Sequence, residues 1–173
     1  MGSTIQSIRF NGEPVNFFDY VTYLFDSQDN INYSFQLELI ISEVAAIKYE
    51  YEKEISVTIE YSNSYVRELL LKVEDITEVG NAEVPKIYLT KPEINPKDFN
   101  ELRMVNWDTP MEEYPGLRDD ILIEQIREFE MPSKVVEITA NLPIDLAEWI
   151  EQNEHDDELL KEFLYMYKAK ASE

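Results

Sequence analysis

Glu148, Glu151, Glu154, Asp156, Asp157, Glu158 and Glu162 crowd into residues 148–162, where Lys161 is the only counter-charge. At helical spacing such a run forms rows of carboxylates, a coarse counterpart of duplex DNA, which carries about one charge per 1.7 Å of axis. A basic protein would accept such rows in place of phosphates. A second array lies within residues 108–130, where Asp108, Glu112, Glu113, Asp119, Asp120 and Glu124 share an irregular loop and the helix expected after it. Trp107, Met111, Tyr114 and Leu117 flank that loop. An aromatic residue ringed by carboxylates suits an interface anchor, although core burial is the expectation for Trp107. Trp149, beside Glu148, admits both readings.

Catalytic chemistry finds little support. Acidic pairs suitable for glycoside hydrolysis are so abundant that none is informative. His155 is the single histidine, which excludes a two-histidine metal site and leaves any Ser-His-Asp relay to one residue in a charged loop. Gly2, Gly12, Gly80 and Gly116 stand too far apart for a phosphate loop or a dinucleotide fingerprint. No lysine follows an acidic residue by two places, so the Asp/Glu-x-Lys element of many metal-dependent nucleases is missing. Asp26, Asp29 and Asn30 suggest a calcium loop, but Ile31 stands at the turning-glycine position and Leu37 at the bidentate glutamate position. Asp108-Thr109 resembles half of an aspartic-protease dyad, yet Pro110 replaces the glycine and no second copy exists. No metal and no cofactor are expected.

The chain of 173 residues carries 36 acidic against 15 basic side chains, a net charge of -21. Such a field repels nucleic acid and anionic membranes and attracts basic proteins over about 8 Å in physiological salt. The expected partner is therefore a basic protein, itself nucleic-acid-binding, with no direct nucleic acid and no membrane. The absence of cysteine removes disulfides, thiolate metal sites and thiol nucleophiles, and suggests a reducing compartment. No basic region followed by an apolar core opens the chain, and no apolar run approaches the ~18 residues of a membrane span. A cytoplasmic location is expected.

The elements that must position these acids follow from periodicity. Hydrophobic residues make up 44% of the chain, enough for a folded core. Ile5, Ile8 and Phe10 before Asn11-Gly12 predict a strand and a turn. Phe17, Phe18, Tyr20, Val21, Leu24 and Phe25 recur at helical spacing after Asn16, which predicts a capped helix with its aromatics in the core. Tyr33, Phe35, Leu37, Leu39 and Ile41 alternate as a strand, with a rival helical face through Val44, Ile47 and Tyr51 that leaves residues 44–54 open. Ile55, Val57, Ile59 and Tyr61 give the clearest strand. Residues 65–76 fit strand and helix equally, and 87–89 suit an edge strand inside an irregular, proline-punctuated stretch.

A brief helix is expected over 98–107. Another should run from Leu117 to Phe129 with Asp119 and Asp120 at its N-terminus. Then come a strand over 134–140, a short helix after Asn141 and Pro143, and a last helix capped by Asp156 or Asp157 whose inner face is Leu159, Leu160, Phe163, Leu164 and Tyr167. The reading is one α+β domain with a mainly antiparallel sheet in the first half and helices concentrated in the second. It subdivides into a sheet-rich 1–78, an irregular connector 79–116 and a mainly helical 117–173.

The function expected from these features is non-enzymatic inhibition of a basic partner by nucleic-acid mimicry, in an anti-defence or immunity-type role. A chaperone or assembly component binding through apolar surface is the alternative, and a carboxylate-based hydrolase the third. The oligomeric state is left open.

Overall fold

Asn11 and Gly12 adopt φ of 51° and 85°, the paired left-handed conformation that matches a two-residue hairpin turn to the twist of its strands. They join β1 (Ile5–Phe10) to β2 (Glu13–Pro14). Asn11 is also stitched to the neighbouring strand, donating its N–H to the Ser56 carbonyl at 2.8 Å and accepting the Ser56 N–H on Oδ1 at 3.0 Å. The computed structural model describes residues 4–27, 32–80, 83–132, 139, 141–152 and 157–171, with the side chains of 157–160 excepted. It divides into two compact units, Met1–Ser133 and Lys134–Glu173.

The first unit is built on β3 (Phe17–Asp26), β4 (Tyr33–Ile41), β5 (Glu54–Tyr61), β6 (Val66–Ile76), β7 (Lys86–Lys91) and β8 (Met104–Asn106) together with the opening hairpin. Its described residues form one eight-stranded sheet in the order β2-β1-β5-β6-β7-β4-β3-β8. Neighbours pair antiparallel except β3 and β8, which run parallel. The fold is thus α+β, with a mostly antiparallel sheet in the first half and helices mostly in the second. Irregularities at Ile5/Ser7, Phe17/Asp19 and Val73/Asp75 add local bend and twist. The sheet curls until the Ile5 N–H of β1 donates to the Tyr20 hydroxyl of β3 at 2.9 Å, although four strands lie between them.

Period-two burial sorts the side chains into two layers. Phe10, Phe35, Leu37, Leu39, Ile55, Val57, Ile59, Leu71 and Ile87 fill the main core on the inner face. The short helix α1 (Glu43–Tyr49), capped by Ser42 accepting the Ala45 N–H at 3.1 Å, adds Ala46 and Tyr49, whose ring meets Phe10 edge-on at 5.1 Å. On the opposite face Ile40 is covered by Ile121 and Ile126, the latter from α2 (Ile123–Phe129). Leu39, Ile40 and Ile41 are consequently all buried, as in a strand clothed on both sides.

Several expectations change. Residues 17–26 are a strand, not a helix, so Asn16 caps nothing; residues 43–49 are helical and 66–76 extended. The connector expected over 79–116 holds β7, an interior strand between β6 and β4, and β8 at the edge beyond β3. In place of a helix over 98–107 there is one 3₁₀ turn, Pro96–Phe99, before β8. The helix expected from Leu117 begins only at Ile123. The preceding segment stays extended because Leu117 and Ile121 pack at Ile40 and the Arg118 N–H donates to Asp19 Oδ2 at 2.7 Å.

The second unit contains α3 (Ile144–Gln152), whose first turn starts from the Pro143 carbonyl, and α4 (Asp157–Ala171). Phe163, Leu164 and Tyr167, expected on an inner face of α4, are exposed. The strand expected over 134–140 lies outside the described residues, which in that stretch include only 139, and so does His155.

Candidate functional site

Asn106, the last residue of β8, organises the acidic loop. Its Oδ1 accepts the Asp108 N–H at 3.0 Å and the Thr109 hydroxyl at 3.1 Å, while its own N–H donates to Thr109 Oγ1 at 3.0 Å. The Asn106 carbonyl accepts the Thr109 N–H at 3.1 Å and the Tyr114 hydroxyl at 2.7 Å. A 3₁₀ turn, Met111–Glu113, closes the loop, and the Tyr114 ring packs edge-on against Tyr23 of β3 at 6.4 Å. Polar side chains that bond their own backbone in this way fix a turn locally.

Trp107 stands out from this framework. It is 73% exposed, steadied by the edge of Phe25 at 4.8 Å between ring centroids. Burial in the core, the expectation for this residue, fails because β8 is the edge strand of the sheet, with no further described strand beside it. Met111, 88% exposed, and half-exposed Met104 lie on the same strand and loop. Asp108, Glu112 and Glu113 are exposed among them.

The arginines of this segment are committed. Arg103 pairs with Glu113 at 3.1 Å, and Arg118 holds Asp120 with two bonds of 2.9 Å. Arg127 grips the buried Glu43 carboxylate at 2.8 and 2.9 Å, tying α2 to α1. Glu112, Asp119 and Glu124 have no ion-pair partner among the described residues. All six predicted carboxylates of this array, Asp108, Glu112, Glu113, Asp119, Asp120 and Glu124, are exposed, with two of them neutralised in part.

In the second unit Glu148 and Glu151 lie exposed on α3. Glu154 and Asp156 lie outside the described residues, and Asp157 and Glu158 open α4. Trp149 is half exposed on α3.

Arg118 hydrogen-bonded to Asp120 holds that carboxyl below its usual range. The pair's contribution is present above the ordinary carboxylate pKa and is lost as pH falls through the depressed value. Arg118→Gln should move the Asp120 titration upward, read from its side-chain carboxyl carbon by NMR. An unchanged midpoint would mean the pair does not persist in water. On the sheet's outer face, burial and a 2.8 Å bond to Glu38 push the Tyr23 hydroxyl well above its ordinary value, which keeps it a neutral donor.

Among the described residues no group of three or more His, Asp or Glu side chains converges to hold a metal ion. No helix among them is long and apolar enough to cross a membrane. A buried cation among the described residues, Arg67, escaped the sequence reading. Its signal was parity, since Arg67 alternates in phase with the inward-facing Leu69, Leu71 and Val73 of β6. No family model, curated protein or solved structure matches the chain.

Proposed function

We propose that the chain is a non-enzymatic protein-binding inhibitor that takes up a basic, nucleic-acid-binding protein through the acidic loop and α2. The observation that carries this reading is the exposed Trp107 beside Met111, flanked by Asp108, Glu112 and Glu113 on a loop fastened by its own hydrogen bonds. A large apolar side chain held in water forgoes about 25 cal/mol for every Å² it could bury. Tryptophan is also among the residues enriched at interface hot spots, which are ringed by contacts that exclude water. The rim is acidic, so its complement is cationic, and protein surfaces that bind nucleic acid are of that kind. A pre-formed loop adds little ordering cost on binding.

Affinity capture from host extract, washed in parallel at low and high salt, tests the reading. A basic nucleic-acid-binding protein eluting with salt, and displaced by added DNA or RNA, is the expected result. The Asp119→Asn/Asp120→Asn/Glu124→Gln variant should then bind about tenfold more weakly and with a shallower salt dependence, as removal of rim charges does. Unchanged affinity in this variant would remove the mimicry claim.

A second reading rests on the other unit. There α3 exposes Ile144, Leu146, Trp149 and Ile150, and α4 exposes Phe163, Leu164, Met166 and Tyr167. Apolar area of this kind favours an assembly partner, and a captured protein retained through high salt would promote that role over inhibition.

A further inference from the structure

Glu38 stands on β4 with Tyr88 of β7 directly across from it on one side and Tyr23 of β3, in register with Gln36, on the other. Two residues from the outward-facing Ile40, it shares the sheet's outer face with both tyrosines. The Tyr23 hydroxyl donates to Glu38 Oε1 at 2.8 Å. Gln36, the next outward residue of β4, spends its amide on Ser34 at 2.8 Å and Thr90 at 3.0 Å. Among the described residues Tyr23 is therefore the one hydrogen-bond donor to this half-buried carboxylate, and no basic side chain forms an ion pair with it. Lys72, across from Thr90 on the same face, is held by Glu74 at 2.9 Å. The groups are close enough to act on one another. Burial first, then Glu38, Tyr114 and Tyr88, push the Tyr23 hydroxyl up, and burial, Glu38 and Asp75 do the same to Tyr88.

Elsewhere the chain shows what such surroundings hold. The buried Glu43 carboxylate is gripped by Arg127, and the Arg67 guanidinium lies 4.2 Å over the Phe99 ring and 5.4 Å over the Tyr65 ring while pairing with Glu101 at 2.9 Å. Aromatic rings and a carboxylate recur at Glu38, but the described residues bring no cation to them. A planar guanidinium suits the place better than an ammonium, because it stacks on rings and donates from a rigid fork to a carboxylate.

We propose that Glu38, Tyr23 and Tyr88 receive one arginine side chain of the basic partner, its guanidinium donating to Glu38 and lying against the tyrosine rings. The inference rests on the reading of the chain as a binder of a basic protein and names a side chain that this surface takes. The acidic loop joins the same face, since Tyr114 packs on Tyr23 and Trp107 on Phe25, two residues further along β3.

The test titrates the full chain, in salt of about 0.15 M, with acetyl-Gly-Arg-Gly-amide and with its lysine and citrulline counterparts, read from the ring NMR signals of Tyr23 and Tyr88. The expected result is a saturable shift with the arginine peptide in the millimolar range, binding at least about tenfold weaker for lysine, and no shift with citrulline, which keeps the shape without the charge. Glu38→Gln still accepts from Tyr23, and should weaken the arginine peptide about tenfold while its backbone spectrum stays native. Glu52→Gln, just past α1, removes the same charge and should leave binding unchanged. Equal responses to arginine and lysine, or equal losses in the two variants, would mean that the net charge of the chain attracts any cation, and would overturn the proposal, as would the absence of a saturable shift. A captured basic protein that binds Glu38→Gln as tightly as the parent would overturn it too, yet leave the inhibitor reading standing. Arginine binding with no basic protein captured would support the site and overturn that reading.

Discussion

Arg127→Met is expected to lower the unfolding free energy by about 3 kcal/mol, the lower end of the range for breaking a buried ion pair. Arg127 is itself one-third exposed, whereas the Glu43 side chain it grips is only 3% exposed. Removing the cation therefore strands a carboxylate in the interior, and that stranded charge, more than the lost attraction, sets the cost. Glu43 is the first residue of α1, where the helix N-terminus favours a negative charge and recovers a small part of the loss. Urea unfolding of the variant measures the effect. The double variant Arg127→Met/Glu43→Gln should regain most of it, because no charge is then stranded at that contact. A loss under about 1 kcal/mol in the single variant would mean that the Glu43 carboxylate reaches water once freed. The same pair anchors α2, and with it Glu124, which lies one turn before Arg127 on the same helix face, so the placement of this acid depends on the Glu43 contact.

The sheet was legible where one face of a strand is buried and the other wet. In β5 the alternation of Ile55, Val57 and Ile59 with Ser56, Thr58 and Glu60 admits a single register. The strand β3 was not legible, for two physical reasons. Its inner face contributes Phe17, Tyr20 and Leu24 to the core while Phe18 packs on the outer face, so apolar residues occur in both phases. The irregularity between Phe17 and Asp19 shifts the phase by one residue, and the resulting spacings of three and four imitate a helix. Similarly, β7 looked like an isolated apolar triplet among prolines. Its burial comes from β4 and β6, partners separated from it in sequence, and no local pattern announces an interior position.

Of the candidate site, charge was visible and geometry was not. The acids of 108–124 are exposed, as solvated carboxylates should be, but composition alone could not say that Arg103 and Arg118 would neutralise Glu113 and Asp120. Hydrophobicity argued for burying Trp107, since a tryptophan is buried more often than not. What overrides that tendency is a topological fact, the placement of β8 at the sheet edge, which depends on a parallel pairing with β3 across nearly eighty residues of chain.

If Trp107 anchors the partner, Trp107→Ala should weaken the complex by about 2–4 kcal/mol, the range of an interface hot spot, or roughly thirtyfold to a thousandfold in Kd. Stability should change by no more than about 1 kcal/mol, since what the fold loses is chiefly the edge contact with Phe25, worth about 0.5–1.5 kcal/mol in aromatic pairs. Salt separates this term from the carboxylates. Apolar burial persists in concentrated salt, whereas the attraction of exposed acids is screened within a few ångströms. The Trp107→Ala deficit should thus be the same at low and high salt, and the deficit of Asp119→Asn/Asp120→Asn/Glu124→Gln should vanish at high salt. Combining the two variants in a cycle tests whether they act on one interface. Near-additive losses fit an anchor and a separate steering rim, and strong coupling fits a cation from the partner held between them. A Trp107→Ala variant that binds as tightly as the parent would move the anchor elsewhere, and the exposed apolar residues of α3 and α4 would become the surface to probe next.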